Sequence, residues 1–266
     1  MEVVTIAGGT GHLGQQVVRL LKKNHRVRVL ARRPGQDPDV EWVPGDLATG
    51  DGIREAVAGA HTVVHTATWS PMAQRGYPIP RDFWYSPPDV DVDGTSRLLE
   101  AATQQRVQHF LYVSITGVDN PKLPYLRLKH SAEELVSVSD CPWSILRATQ
   151  FYWLLDRMFD QMSKIAVLPF PGTLPAQPGA AEDFADYIAE CVEAGPGGRR
   201  ADFAGPEVLS FTELVRAWSH VRGKKCRLVQ VPVPDRVRNA VSAVLTSPDG
   251  RRGTTTWQQW LQRSTG

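Results

Sequence analysis

The chain has 266 residues, a formal net charge of +2 and 42% apolar residues, enough for a large buried core and too evenly balanced for a nucleic-acid-binding surface. No stretch reaches the roughly 18 consecutive apolar residues of a membrane span. Cys141, Cys191 and Cys226 are odd in number with no Cys-x-x-Cys pair. A reducing, cytoplasmic setting without membrane or nucleic-acid partners is therefore expected, and a strand at the very start argues against a signal peptide.

The apolar run Val3 to Ala7 predicts the first strand, and Gly8, Gly11 and Gly14 come straight off it in Gly8-Gly9-Thr10-Gly11-His12-Leu13-Gly14. A helix-period segment follows, with Leu13, Val17, Val18, Leu20 and Leu21 on one face. In such a strand, turn and helix, one glycine lets the backbone reverse, a second lets pyrophosphate oxygens approach the main chain, and a third lets the helix lie close on the sheet. The helix N-terminus then offers free N–H groups to the phosphates. A second apolar strand, Val27 to Ala31, comes at the distance a βαβ unit requires, which points to a dinucleotide. At its end stand Arg32 and Arg33 instead of the acid that would hold a ribose 2′-OH. A guanidinium pairs with a 2′-phosphate, so NADP(H) is expected over NAD(H). Two solvated arginines at a strand end are the plainer alternative.

Further strands are predicted at Val40 to Val43, Thr62 to Thr66, His109 to Ser114 and Trp143 to Leu146, alternating with helices near Ile53 to Val57, Asp93 to Thr103 and Tyr125 to Val138. Such alternation buries both faces of a sheet and requires parallel strands, giving an α/β fold with a doubly wound parallel sheet of Rossmann type. Past Arg147 the rhythm breaks. Pro169, Pro171, Pro175 and Pro178 punctuate a stretch too short for another βαβ unit. Later elements are a helix at Glu182 to Glu193, a strand at Ala201 to Ala204, a helix opened by the capping box Ser210-Phe211-Thr212-Glu213, an extended segment at Arg227 to Val233 and a terminal helix at Trp257 to Leu261. The expected division is a dinucleotide-binding domain over 1–152, completed by 181–204, with a small substrate-binding lobe from 153–180 and 205–266.

The connection from Ala67 to Val92 is several times the usual length and carries Trp69, Tyr77, Phe83, Trp84 and Tyr85 among prolines. An ordered lid is expected, with Trp69 to Pro88 forming one wall of a substrate cavity at the carboxyl edge of the sheet. Trp69, Trp84 and Tyr85 would then contact substrate, and the facing wall would come from Gln150 to Leu155, with Gln150 and Phe151 foremost. A packing flap or a homo-oligomer contact is the other reading of this segment.

Tyr125 and Lys129 stand at i and i+4, so they share a helix face, and Pro124 places Tyr125 in the first helical turn. A free tyrosine near pKa ~10 is a poor proton donor at neutral pH, but an adjacent ammonium and a helix N-terminus would both lower that value. General acid catalysis to a substrate oxygen follows as an expectation, with Thr116 hydrogen-bonding the same oxygen.

With these pieces in place, the chain resembles the short-chain dehydrogenase/reductase superfamily, in its atypical NmrA-like NAD(P)H-binding branch. The resemblance rests on Gly8/Gly11/Gly14, Arg32, Gly45-Asp46-Leu47, Asp93-Gly94-Thr95, Tyr112-Val113-Ser114, Tyr125/Lys129 and the run Pro142 to Phe151, and it extends to Gly205-Pro206-Glu207. It implies that Thr10, His12 and Leu13 join the phosphate turn and that Asp46 and Leu47 hold the adenine. It also implies that Thr66 and Ala67 line the ribose, that Ser114 adjoins the cofactor and that Lys129 contacts the nicotinamide ribose. The chain departs from core members in having His65-Thr66-Ala67-Thr68 where they carry Asn-Asn-Ala-Gly, and in the short interval from Thr116 to Tyr125.

His61 and His65 bracket a strand without the glutamate of a zinc protease, and the other histidines are scattered, so no metal is expected. Nucleophile-elbow and P-loop motifs are missing as well. Two functions fit: an NADPH-dependent reductase of a small carbonyl, enone, quinone or imine, or a non-catalytic module that senses the NADPH/NADP pool. Intact Tyr125 and Lys129 favour the first.

Overall fold

The computed structural model describes residues 1–264 apart from 71–73, 76–79, 120, 122, 165–167, 227 and 233. Its centre is made of β1 (Val3–Ala7), β2 (Arg26–Ala31), β3 (Glu41–Pro44), β4 (Thr62–His65), β5 (His109–Ile115) and β6 (Trp143–Ala148). They lie in the order 3-2-1-4-5-6, so the direction of winding reverses between β1 and β4. Short strands at Gly198–Arg199, Phe203–Ala204 and Arg251–Arg252 extend the sheet beyond β6, and every pairing in it is parallel. Parallel strands are covered on both faces, which is why β4 is buried at all of its positions and β2 at all but its first.

One face is covered by α1 (His12–Leu21), whose Leu13, Val17, Val18 and Leu21 join a core with Val4, Ile6, Val27 and Val29. On the other lie α2 (Ile53–Val57), α3 (Thr95–Gln104) and α4 (Pro124–Ser137), packed around Leu98, Ala102, Phe110 and Val136. Later helices are α5 (Tyr152–Met162), α6 (Ala181–Ala194), α7 (Phe211–Arg222), α8 (Asp235–Leu245) and α9 (Trp257–Arg263). Helix α6 returns to the α1 face. Helices α5, α7 and α9 enclose a separate core around Tyr152, Phe159, Trp218 and Trp257. Truncating aromatic side chains buried like these typically costs about 3–5 kcal/mol each. The doubly wound parallel sheet and the smaller C-terminal lobe thus follow the sequence expectation.

There are three departures. A π-helical turn, Asp89–Gly94, precedes α3, so the predicted helix from Asp93 becomes regular only at Thr95. Helices α5 and α8 occupy stretches with no predicted helix; Leu155, Phe159 and Met162 of α5 and Val241 and Leu245 of α8 pack into the C-terminal core, contacts that lie outside the local pattern. Strand β6 runs on to Ala148, carrying Arg147 into the interior. There the Arg147 guanidinium grips Glu133 of α4 (Nε–Oε1 2.8 Å, Nη2–Oε2 2.5 Å) and the Asp119 carboxylate (2.6 and 2.8 Å). This clamp ties α4, and with it Tyr125 and Lys129, to the carboxyl end of the sheet.

His65 and His109 sit inside the sheet, and burial first of all lowers their pKa values to about 3 and about 4; Lys129 adds to the effect on His65, and Arg200 and His61 to that on His109. Unfolded histidine titrates near ~6.5, so the unfolded chain takes up protons at pH values where the folded chain does not. Their contribution to stability is fully present above that value and is lost as pH falls towards the folded pKa values. The unfolding free energy should therefore decline on acidification by up to about 1.4 kcal/mol per pH unit for each histidine. Urea unfolding at a series of pH values reads this directly, and a flat profile from about pH 6.5 to about 4.5 would contradict it.

Candidate functional site

The crevice at the β1/β4 reversal is a cavity of about 550 Å³. Open α/β sheets bind ligands at this place, where neighbouring strands send their loops apart. Its floor is the turn after β1. Gly8 has φ +90°, and a Cβ there would lie 2.5 Å from Ala67 N. At Gly14 a Cβ would lie 2.1 Å from Gly8 O, so only glycine lets α1 start this close to β1. Gly11 differs: a Cβ there would meet only Gly8 O, at 3.3 Å, and otherwise open space within the cavity. Gly11 is also the N-cap of α1, and no side chain caps that end. The first-turn N–H groups are left for a ligand.

Along the floor lie Gly8, Thr10, Gly11, His12, Leu13 and Gly14, followed by Arg32 from the end of β2 and by Asp46 and Leu47 after β3. Thr66 and Ala67 line it beyond β4, and Ser114 at the end of β5. Arg33 is exposed and does not line the cavity, since a strand end turns alternate side chains apart. Arg32 is exposed at the rim with no ion pair among the described residues. Asp46 Oδ1 accepts from Ala48 N (2.9 Å), which holds the loop beside Leu47. His12 stacks on Trp153 of α5, with centroids 4.1 Å apart, and burial, with Arg157 second, lowers its pKa.

At the far end of the cavity are Tyr125, Lys129 and Ser114. Ser114 Oγ is buried without a hydrogen-bond partner among the described residues, as is Gln150 Oε1. Lys129 Nζ, almost wholly buried, donates to Val113 O (2.9 Å), lies 3.5 Å from Asp91 Oδ1 and sits over the Tyr112 ring. Its charge thus faces Asp91. The Tyr125 hydroxyl meets Thr68 Oγ1 at 3.1 Å. Burial above all, and then the Asp91 carboxylate, raise the Tyr125 pKa, which the Thr68 hydrogen bond only partly offsets. The lowered value expected from a neighbouring ammonium is therefore corrected. Burial likewise lowers the Lys129 pKa, against the opposing effect of Asp91 and Glu133.

Thr116 is not with them. Its Oγ1 donates to Val244 O at the end of α8 (2.7 Å), outside the cavity lining, so its hydroxyl serves to dock the C-terminal lobe. The long connection supplies Trp69, Ser70 and Gln74 to the wall, with Gln150 and Phe151 also lining the cavity as expected. Trp84 and Tyr85 do not: they are 76% and 45% exposed beside the 3-10 turn Pro80–Phe83, and Arg81 covers the Tyr85 ring. Tyr77 and the Phe83 side chain lie outside the described residues. Arg157 Nη2 donates to Gln74 O (2.8 Å) and fastens the loop to α5.

Trp153 and Leu154 line the cavity within the expected wall Gln150 to Leu155, whereas Asp91 and Thr68 are site residues that the sequence reading missed. In Asp89-Val90-Asp91-Val92-Asp93 nothing marks which acid turns inward; the π-helical turn buries Asp91 and leaves Asp89 exposed. The cavity suits a dinucleotide: a bare helix N-terminus, space where Gly11 lacks a side chain and, among the described residues, a guanidinium at the rim with no ion pair and two polar atoms at the far end with no hydrogen-bond partner.

Comparison with known proteins agrees with that chemistry. Among curated proteins, the chain is 30% identical to divinyl chlorophyllide a 8-vinyl-reductase of Oryza sativa subsp. indica over 253 residues, 86% of this chain and 61% of that protein. It thus spans less than two thirds of that relative's length. Ceramide reductase of Caulobacter vibrioides is 28% identical over 246 residues, 87% of this chain and 74% of that one. The NADP(H)-complexed triphenylmethane reductase of a Citrobacter species shares the fold with a TM-score of 0.74 at 16% identity, covering 98% of this chain and 99% of that chain. The NADPH-dependent quinone oxidoreductase of Escherichia coli does so with a TM-score of 0.72 at 17% identity, covering 99% and 100%. Residues 8–194 match the family model described as NAD(P)H-binding. The chain belongs to this NAD(P)H-binding family.

Proposed function

We propose that the chain is an NADPH-dependent reductase of the atypical, NmrA-like short-chain dehydrogenase/reductase branch, acting in the cytoplasm on a small carbonyl, enone, quinone or imine. The observation that carries this reading is the convergence of Tyr125 and the orphaned Ser114 hydroxyl on the same cavity as the glycine turn. The names of the relatives support it, since they include reductases of a vinyl group, a ceramide and quinones.

In this reading the turn from Gly8 to Gly14 holds the pyrophosphate, Arg32 the 2′-phosphate, Asp46 and Leu47 the adenine, and Thr66 and Ala67 the ribose. When bound, the reduced nicotinamide supplies a hydride. Tyr125 donates the proton that the reduced acceptor needs, and Ser114, whose hydroxyl has no partner among the described residues, takes the orienting role expected of Thr116. The raised Tyr125 pKa keeps the phenol protonated before the reaction. Trp69, Phe151 and Leu154 give the acceptor an apolar wall, suited to a flat or hydrophobic molecule.

NADPH consumption measured against a panel of quinones, enones, aldehydes and imines tests the reading. Tight NADPH binding with no turnover on any of them would remove the reductase and favour a pool-sensing role. The cofactor preference is checked separately by calorimetry. NADPH should bind more tightly than NADH, and Arg32→Ala should reduce that preference by about tenfold or more, as a charge-assisted pair with phosphate contributes about 1.5–3 kcal/mol. Equal affinities in the unmutated protein would refute the assignment of Arg32.

A further inference from the structure

The two sides of the cavity differ in charge. Arg32 and Asp46 line it after β2 and β3, on one side of the β1/β4 reversal, and Lys129 lines it on the other. Lys129 has no charge to spare for a ligand: its almost wholly buried Nζ donates to Val113 O and faces Asp91. Beyond β4 and β6 the lining consists of Thr68, Trp69, Thr149, Gln150, Phe151 and Leu154 with their neighbours, and among the described residues it offers a ligand no charged side chain. A charge moved there from water would lose its hydration and find no counter-charge, so the site favours uncharged acceptors.

The polar groups on this side are spent unequally. Thr149 Oγ1 donates its one hydrogen to Gln177 O (2.6 Å) and Thr68 Oγ1 donates its own to Asp91 Oδ1 (2.6 Å). Gln150 is committed at one end only. Its Nε2 donates to Val244 O (3.3 Å), the carbonyl that also takes the Thr116 hydroxyl (2.7 Å). A carbonyl only accepts, so the nitrogen is the end that meets Val244, and a flipped amide would set two oxygens against each other. Val244 does not line the cavity, whereas Gln150 does. The amide therefore spends its donor away from the ligand and keeps its acceptor: Oε1 is buried with no partner among the described residues. Gly179 N donates to Gln150 O (2.9 Å) and holds the main chain in place. Trp153 Nε1 is also without a partner among the described residues, but the stack on His12 sets that ring beside the phosphate turn.

Resting on the reductase reading above, we propose that Gln150 sets the specificity of the site: the acceptor is an uncharged molecule that carries a hydroxyl or N–H group in addition to its reducible atom, and that group donates to Gln150 Oε1. Tyr125 and Ser114 take the reducible atom, which accepts; Gln150 takes the second group, which donates. Two hydrogen bonds of opposite direction then orient the molecule against the apolar wall of Trp69, Phe151 and Leu154. A methyl ether of the same shape leaves the amide oxygen buried and unpaired, and a carboxylate sets a second acceptor against it.

The test compares hydroxyl, methoxy and carboxylate forms of whichever acceptor the unmutated protein reduces, with the substituent moved to each open position. At the best position the hydroxyl form should exceed the methoxy form in kcat/KM by about tenfold or more, with the carboxylate form poorest. Gln150→Met keeps the length of the side chain and removes its amide. It should bring the hydroxyl-to-methoxy ratio to about one while NADPH affinity stays within about twofold. A merely structural Gln150 would slow both forms alike and leave the ratio unchanged, which overturns the proposal, as would equal rates for the two forms at every position or a preferred carboxylate. Lost NADPH affinity with an unchanged ratio overturns it too, since the amide oxygen then serves the nicotinamide carboxamide. Should Gln150→Met not fold, the substituent series in the unmutated protein decides alone. If no acceptor is reduced, the function reading has failed, and Gln150 is judged by calorimetry of naphthol, methoxynaphthalene and naphthoate on the NADPH-loaded protein. Naphthol should bind about tenfold or more tightly than the other two in the unmutated protein, and no more tightly than methoxynaphthalene in Gln150→Met. Equal binding of all three to the unmutated protein would refute the role of Gln150.

Discussion

Replacing Tyr125 with Phe should lower turnover on the protein's own acceptor by about 10²- to 10⁴-fold, the usual loss when a positioned general acid is removed. The ring stays in place on α4 and only its hydroxyl is lost, so the packing of the first turn around Pro124 and Leu126 is preserved. NADPH affinity should remain within about twofold, because a group used chiefly in the transition state affects kcat far more than cofactor binding. Stopped-flow turnover together with calorimetric NADPH binding separates the two quantities. Near-normal kcat in Tyr125→Phe would assign protonation to water or to Ser114. Lys129→Ala should be harmful in a different way: it leaves the buried Asp91 carboxylate without its nearest ammonium and so should lower stability as well as activity.

The second large effect separates two glycines three residues apart. Gly11→Ala should leave the fold intact, because its Cβ meets only Gly8 O at 3.3 Å, yet it puts a methyl group into the space assigned to the pyrophosphate. NADPH binding should weaken by about a hundredfold or more, since close backbone approach is what this position supplies. Gly14→Ala should damage both fold and binding: the added atom would lie 2.1 Å from Gly8 O and 2.7 Å from Gly9 Cα, so the main chain must move. An overpacking cost of about 1–3 kcal/mol or more follows, with a lower melting temperature. Thermal denaturation and NADPH titration of both variants check the pair. Gly11→Ala binding NADPH normally would mean that the cofactor does not cross this turn.

The local part of this architecture was legible in the sequence because its causes are local. Glycines at 8, 11 and 14 specify a turn through steric limits within a few residues, and Arg32 sits at a strand end that periodicity alone locates. Tyr125 and Lys129 share a face because four residues make about one helical turn, and strand–helix alternation implies a parallel sheet wound on both faces. None of these inferences needs a distant partner.

What the tertiary structure alone decided is where each polar group spends its hydrogen bonds. Thr116 looks available beside Tyr125, but Val244, far along the chain, takes its hydroxyl, and Ser114 Oγ has no partner among the described residues. Lys129 is next to Tyr125 in sequence terms, yet its ammonium faces Asp91, so burial prevails and the phenol pKa rises where proximity suggested a fall. Trp69, Trp84 and Tyr85 read alike as cavity aromatics, yet only Trp69 lines the cavity while Trp84 and Tyr85 stand exposed. In each case the outcome depends on pairings between elements remote in sequence, which spacing and composition do not encode; steric and periodic rules act within a few residues, whereas hydrogen bonds and desolvation are settled only when the elements meet.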